Sequence, residues 1–237
     1  MLLAFRQYLS TATTSGTGGG GSTSTLTTLS LNHFNVADGA QVFPDEITGV
    51  TWTYALAGTA EGDTAQAKFG SASVLLPNAL EQWVQATGWS DPVSGDWSYE
   101  TFVRWDDGAA AAAGFNFYDV AAQLCFSLRV DQAGLLNASI RTTDGFTNFN
   151  LAQTQTVAID TWYHMGAVRD GANNVYNFLW NGNRVQQYTQ SLDITSMLTL
   201  ELINDNNGNV WYDESRFVIG IAYTGATYIV PTGEFSP

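Results

Sequence analysis

"DWSYETFVRWDD", residues 96–107, is the stretch on which the fold turns. Trp97, Tyr99, Thr101, Val103 and Trp105 fall on alternate positions, with Glu100, Phe102 and Arg104 between them. A period of two puts the first set on one face of a strand and the second on the other. Large apolar side chains on both faces mean that neither looks out on open water, so the segment reads as a central strand. Glu100 and Arg104 share the second face and are expected to form a structural ion pair.

Working outward, the same period recurs with turn residues between its runs. "LTTLSLNHFNV" (26–36) places Leu29, Leu31 and His33 on one face. "VYNFLWNGNRVQQY" (175–188) sets Asn181-Gly182 between two β-rich arms, the signature of a type I′ hairpin, whose two central residues need positive φ. "SLRVDQAGLLNASI" (127–140) and "IRTTDGFTNFN" (140–150) read as further turn-punctuated pairs. "GAAAAAG" (108–114) is too short and too apolar for an independent helix and reads as a loop or a single turn. No fixed-period repeat appears, which argues against solenoids and propellers. The expectation is an all-β chain: a two-sheet antiparallel β-sandwich of jelly-roll type with an extended N-terminal arm.

Composition limits what such a sandwich does. The 237 residues carry 22 acidic against 8 basic side chains, for a formal net charge of −14, and Lys68 is the only lysine. Phosphate backbones need several Lys or Arg contacts, so nucleic acid is not an expected partner. The acidity serves either solubility or a bound cation. Cys125 stands alone among apolar neighbours, so no disulfide forms within the chain. The apolar run "MLLAF" is shorter than a signal-peptide core, and no run reaches the ~18–20 apolar residues of a membrane span. Folding in the cytoplasm without a cleaved signal, and no membrane partner, are the expectations.

Three segments follow from the chain order: residues 1–10, a Gly/Ser/Thr-rich linker at 11–25, and the β-domain at 26–237. The linker, within "TATTSGTGGGGSTSTLTT" (11–28), embeds GGGGS in irregular Thr and Ser and reads as a native tether. About 15 flexible residues span roughly 20 Å. Leu2, Leu3, Phe5, Tyr8 and Leu9 ahead of it form a candidate docking peptide that orders on a partner surface.

"AKFGSASVLLP" (67–77), "DWSYETFVRW" (96–105), "DTWYHMGAVRDGANNVYNFLWNGNRV" (160–185) and "WYDESRFVIGIAYTGATYIVPTGEFSP" (211–237) follow one another in an order and spacing that resemble the concanavalin A-like lectin/glucanase superfamily. They are most similar to the laminin-G-like modules of bacteriophage virion proteins. The resemblance runs from about Leu29 to Pro237. Its most specific pieces are Trp162-Tyr163-His164, Arg169-Asp170-Gly171, the Asn181-Gly182 turn and Asp213-Glu214-Ser215-Arg216. It implies the sandwich fold and leaves function open among lectins, hydrolases, adhesion modules and structural heads. It further implies that Asp213 anchors the last strands to the N-terminal region, through hydrogen bonds or a calcium ion. Asp45, in "FPDEITG" (43–49), is similar to an early Asp-x-x-Gly that shapes a turn.

The candidate site residues come from several stretches. Glucanases of the superfamily carry an E-x-D-x-x-E strand, which this chain lacks. Asp213 and Glu214 are adjacent, so on a regular strand they face opposite ways and do not serve one scissile bond. His33 and His164 are expected as hydrogen-bonded structural imidazoles, with no zinc motif around them. "ELINDNNGNVWYDE" (201–214) is a departure from relatives: Asp205, Asn206, Asn207, Asn209 and Trp211 form either a solvated hairpin tip or a site for sugar hydroxyls or calcium, with Asp205 and Asp213 as the metal candidates. Trp89, in "ATGWSDPVSGD" (86–96), is the candidate exposed stacking face for a pyranose. No catalytic residue and no required cofactor are expected. The function expected is that of a non-enzymatic phage virion surface protein, a capsid decoration, short head fibre or tail accessory. Its arm would hold it to other virion proteins, and its lectin-like domain would meet host or environmental glycans; a homotrimer on the particle is one open arrangement. A free lectin or adhesin, or a glycan hydrolase, is the alternative.

Overall fold

The structure, a computed structural model, describes residues 26–54, 60–77, 82–92, 95–106, 113–130, 135–142, 145–154, 157–190, 194, 196–205 and 208–237. The expected docking peptide and tether at 1–25, and Asn206 and Asn207, lie outside the described residues. Two antiparallel sheets and no helix are found among the described residues, which is the expected sandwich. The first sheet runs β13 (Asn183–Thr189), β12 (Val175–Trp180), β11 (Tyr163–Asp170), β6 (Trp97–Trp105), β15 (Val210–Ile219), β4 (Ser73–Leu76) and β3 (Glu61–Asp63), with β1 (Thr27–Asn32) pairing β15 as an eighth strand. The second runs β10 (Gly145–Thr154), β9 (Leu135–Thr142), β8 (Leu124–Val130), β7 (Ala113–Tyr118), β14 (Thr199–Asn204), β5 (Gln82–Thr87) and β2 (Thr51–Tyr54).

Strand β6 is central, between β11 and β15, and every residue of it is buried. Trp97, Tyr99 and Val103 turn inward against Phe115 and Phe117 of β7 and Phe126 of β8. The rings meet edge to face, Trp97 on Phe126 at 5.4 Å and Tyr99 on Phe115 at 4.4 Å between centroids. Burial of that much apolar surface, at ~25 cal/mol per Å², is the main attraction between the sheets. The β12–β13 hairpin turns at Asn181 and Gly182 with φ of 44° and 88°, both positive as the sequence required. "GAAAAAG" contributes its last two residues to β7, where a loop or turn was expected; 108–112 lie outside the described residues.

Strand β15 is not regular. It pairs with β4 over Val210–Tyr212 and with β1 over Ser215–Ile219, and its register on β6 shifts between Asp213 and Arg216. Glu214 takes φ of 53° there. A bulge at the point where one edge partner replaces another re-aims the side chains around it. Asp213 and Glu214, expected to face opposite ways, therefore both carry their carboxyls to the outer side of the sheet.

That outer side is roofed. Leu31, Phe102 and Phe235 form a second buried apolar cluster, with Ile47, Phe69, Trp162 and Val230 against it. The C-terminal segment after β15 and the loops after β1 and β3 supply the cover. Asp45 shapes its turn as expected: Oδ1 accepts from the backbone of Leu31 (3.1 Å) and Ile47 (2.8 Å), and Oδ2 from Trp52 Nε1 (2.8 Å).

Candidate functional site

The roofed face holds a network of charged and polar side chains. Glu100 is 1% exposed and accepts from Arg216 through Nε (2.9 Å), from His164 Nε2 (2.9 Å) and from the Tyr223 hydroxyl. Burial alone would raise its pKa, but the Arg216 guanidinium and His164 hold it at about 2. The expected Glu100–Arg104 pair does not form. Although the two share a face, Arg216 lies directly opposite Glu100 on β15, and Arg104 donates instead to Asp160 (2.5 Å) while stacking on Trp211. His164 also meets the Tyr228 hydroxyl (2.8 Å), and His33 Nδ1 meets Glu214 (2.8 Å), so both imidazoles are hydrogen-bonded as expected.

Asp213 anchors as the resemblance implies. It is wholly buried; Oδ2 accepts from the backbone of Lys68 (2.7 Å) and Phe69 (3.0 Å), and Oδ1 from Glu214 N (2.9 Å). Burial pushes its pKa up to about 8. Calcium takes six to eight oxygen ligands. Here N–H donors meet both carboxylate oxygens, which does not fit a metal ligand. No group of three His, Cys, Asp or Glu suited to a metal occurs among the described residues.

The stacking candidate Trp89 is corrected, and Trp211 of the Asn-rich stretch is likewise turned inward. Trp89 is 8% exposed, packs edge-on against Phe217 and donates Nε1 to Met197 O at 2.8 Å. Trp211 is 6% exposed and donates to Asp63 at 2.7 Å beneath the Arg104 guanidinium. Each lies near turn formers in sequence but is drawn inward by a polar partner far along the chain. Asn209 is likewise engaged, its backbone N and Nδ2 both donating to Asp106.

The outer face of the seven-stranded sheet is built differently. Strand pairing lays out three rows across β5, β14, β7 and β8: Thr87–Thr199–Tyr118, then Gln85–Glu201–Asn116–Ser127, then Trp83–Ile203–Gly114–Arg129. In each strand the residues between them, such as Val84, Leu202 and Phe115, enter the core. The outward residues line a groove of about 640 Å³, closed at one end by the Asp119–Ala122 turn with Val120, and at the other by Trp83 and Asp205. That volume is in the range of ligand sites, about 300–1,000 Å³.

Its polar groups are ordered by one another. Arg129 donates through Nε and Nη2 to Asn116 Oδ1 (3.2 and 3.1 Å) and through Nη1 to Asp205 (2.5 Å). This fixes the Asn116 amide so that Nδ2 points to the Tyr118 hydroxyl (2.9 Å). Glu201, at the centre, accepts from Tyr118 and Asn116; burial raises its pKa above the usual carboxylate value, and Asp205 adds to the rise. Burial and the Glu201 charge push Tyr118 up to about 12. Beneath the floor, the Tyr212 hydroxyl crosses the core from β15, accepts from Gly114 N (2.6 Å) and lies 2.6 Å from Ile203 O. Gly114 is required for close approach, since a Cβ there would stand 2.2 Å from Leu128 O.

Of the expected site residues that are described, only Asp205 lines this groove. Trp83, Asn116, Tyr118, Arg129 and Glu201 were not singled out from the sequence. The available signal was partial: Trp83, Gln85 and Thr87, Asn116 and Tyr118, and Thr199 and Glu201 alternate with core residues, while Gly114 and Ile203 interrupt the pattern.

No family model and no curated protein sequence matches the chain. Solved structures do. Lectin II from Ulex europaeus superposes with a TM-score of 0.52 at 6% identity, over 81% of this chain and 99% of the lectin. The Bacillus licheniformis β-glucanase superposes with a TM-score of 0.50 at 11% identity, over 79% of this chain and 97% of the enzyme. A sialidase matches with a TM-score of 0.49 at 12% identity over 73% of this chain, which spans only 17% of that protein's length. At these identities the likeness shows the fold alone: the chain has the sandwich of the concanavalin A-like lectins and glucanases.

Proposed function

We propose that the chain is a non-enzymatic glycan-binding module whose site is the groove on the outer face of the seven-stranded sheet. The observation that carries this reading is the groove, roofed by no described segment, in which Asn116, Arg129 and Glu201 are ordered by hydrogen bonds beside Gln85, between the Trp83 and Tyr118 side chains. A sugar ring offers hydroxyls to fixed acceptors and donors and an apolar C–H face to an aromatic ring, and both kinds of partner are present. The shared fold with lectins supports the reading without supplying it.

Hydrolysis needs two carboxyls that act on one bond. Besides Glu201 the groove carries Asp205, which is held by Arg129, and Asp119, which accepts from its own turn at Ala121 and Gln123, and these engagements disfavour it. A glycan array tests the binding reading, with retention expected and a blank array, with and without calcium, overturning it. Release of reducing ends from β-glucans or bacterial polysaccharides would overturn the non-enzymatic part.

The setting we propose is the surface of a bacteriophage particle. Leu2, Leu3, Phe5, Tyr8 and Leu9 dock on a capsid or tail protein, and residues 11–25 act as the tether. This rests on the sequence of the arm and on the resemblance to virion modules. Deleting residues 1–10 is expected to abolish incorporation into particles while leaving the β-domain folded; undiminished incorporation would contradict it.

A further inference from the structure

The groove's charge indicates which glycans it takes. Asp119, Glu201 and Asp205 line it against one cation, Arg129, which is the only Lys or Arg among its described lining residues. Arg129 is paired with Asp205 and bonded to Asn116 through three of its five N–H donors. Arg141, the next cation along this sheet, donates to Leu124 O and Gln123 Oε1 and lines no part of the groove. Glu201 thus sits half-buried at the centre with hydroxyl and amide donors, and Arg129 acts on it through space while its ion pair is with Asp205. An acidic sugar brought here would place a second carboxylate or a sulfate beside it, where three carboxyls already face that one cation, inside a chain of net charge −14. A neutral sugar brings no charge to this site and finds both acceptors and donors for its hydroxyls, and an amino sugar would place a cation beside Glu201.

We infer that the groove sorts glycans by charge, accepting neutral and amino-bearing chains and rejecting those that carry uronic acid, sialic acid or sulfate at the contacting ring. This rests on the glycan-binding reading and adds the ligand class to it. Like-charge juxtaposition in a partly buried contact is a device of specificity more than of affinity, so the effect is a ratio between matched ligands.

The experiment uses the full chain and an array in which each neutral glycan is printed beside its sulfated, sialylated or uronate counterpart, with chitosan oligomers as the amino-sugar probe. Acidic members are expected to bind about tenfold more weakly or worse than their neutral partners. Glu201→Gln, checked by an unchanged melting curve, is expected to narrow that ratio by roughly threefold or more. Acidic members binding as well as neutral ones would overturn charge sorting and leave the glycan-binding reading standing. A ratio unmoved in Glu201→Gln would overturn Glu201 as the discriminating group. A wholly blank array would remove the glycan-binding reading, and this inference with it.

Discussion

The two outer faces of this sandwich carry the same kinds of side chain and use them in opposite ways. On the eight-stranded sheet Glu100, Glu214 and Asp213 are 0–1% exposed and each is matched by donors from a distant part of the chain. On the seven-stranded sheet Glu201 stands in an open groove, matched only by its neighbours Tyr118 and Asn116. Covered charges without partners are costly, so they acquire partners and become structure. Uncovered polar groups held in fixed positions remain available to a ligand. The lesson is that in a two-sheet fold the face to search for function is the one that the described loops and tail leave bare.

The sharpest way to break the comparison is to strip the roofed face. Glu100→Ala leaves Arg216, His164 and the Tyr223 hydroxyl without their common acceptor. Breaking a buried pair in this way costs about 3–5 kcal/mol, which thermal unfolding should register as a fall of roughly 10 °C. Glycan affinity measured well below that transition should be unchanged. The wild-type group also sets an acid limit. Its folded pKa of about 2 lies below its ordinary 4.5, so its stabilisation is present above pH 4.5 and is lost as pH falls through 2. In Glu100→Ala that part of the acid unfolding profile should disappear.

Asp213→Ala comes next, because it leaves the N–H groups of Lys68, Phe69 and Glu214 without acceptors. Unsatisfied buried donors cost about 1–3 kcal/mol each. Denaturant titration should show a loss of roughly 2–4 kcal/mol. Chelation of calcium should leave the wild-type melting temperature where it was; a fall of several degrees would mean an ion bound only to the folded state.

The groove should respond in the reverse sense. Trp83→Ala and Glu201→Gln are expected to weaken glycan binding about tenfold each, near 1.4 kcal/mol, by calorimetric titration. Their unfolding midpoints should move far less than that of Glu100→Ala. A smaller effect belongs to His33. Its hydrogen bond to Glu214 raises its pKa above 6.5, so the stability it adds is full below 6.5 and lost as pH rises through the higher folded value. His33→Gln should flatten that alkaline decline. Val120, 86% exposed on the turn at the groove's end, sets the floor of the series: Val120→Ser should stay within about 0.5 kcal/mol of wild type in stability.

Much of the fold was legible from residue order. Trp97 to Trp105 specified a central strand because both its faces carry aromatics, and Asn181-Gly182 specified its hairpin because few other residues adopt two successive positive φ values. The bulge in β15 was not legible, since it exists only where β4 gives way to β1 along one edge. Trp89 was a candidate stacking face and Trp211 a candidate site residue because each lies near turn formers in sequence, yet Met197 and Asp63 hold them inside. The groove was the least legible part. Its rows join β5, β14, β7 and β8, and β14 lies more than 80 residues beyond β7 while hydrogen-bonded beside it. A Glu between two leucines in "LELIN" looks like any solvated strand position until that register is known.

The account's central claim is the location of the ligand. Backbone amide NMR of the labelled chain, titrated with the neutral oligosaccharide that binds most tightly on the array, tests it most directly. Shifts concentrated at Trp83, Asn116, Tyr118 and Glu201 and their strand neighbours are the result the account predicts. Shifts centred instead on Asn177, Arg184 and Gln187 of the eight-stranded sheet, or absent from the groove at saturation, would contradict it.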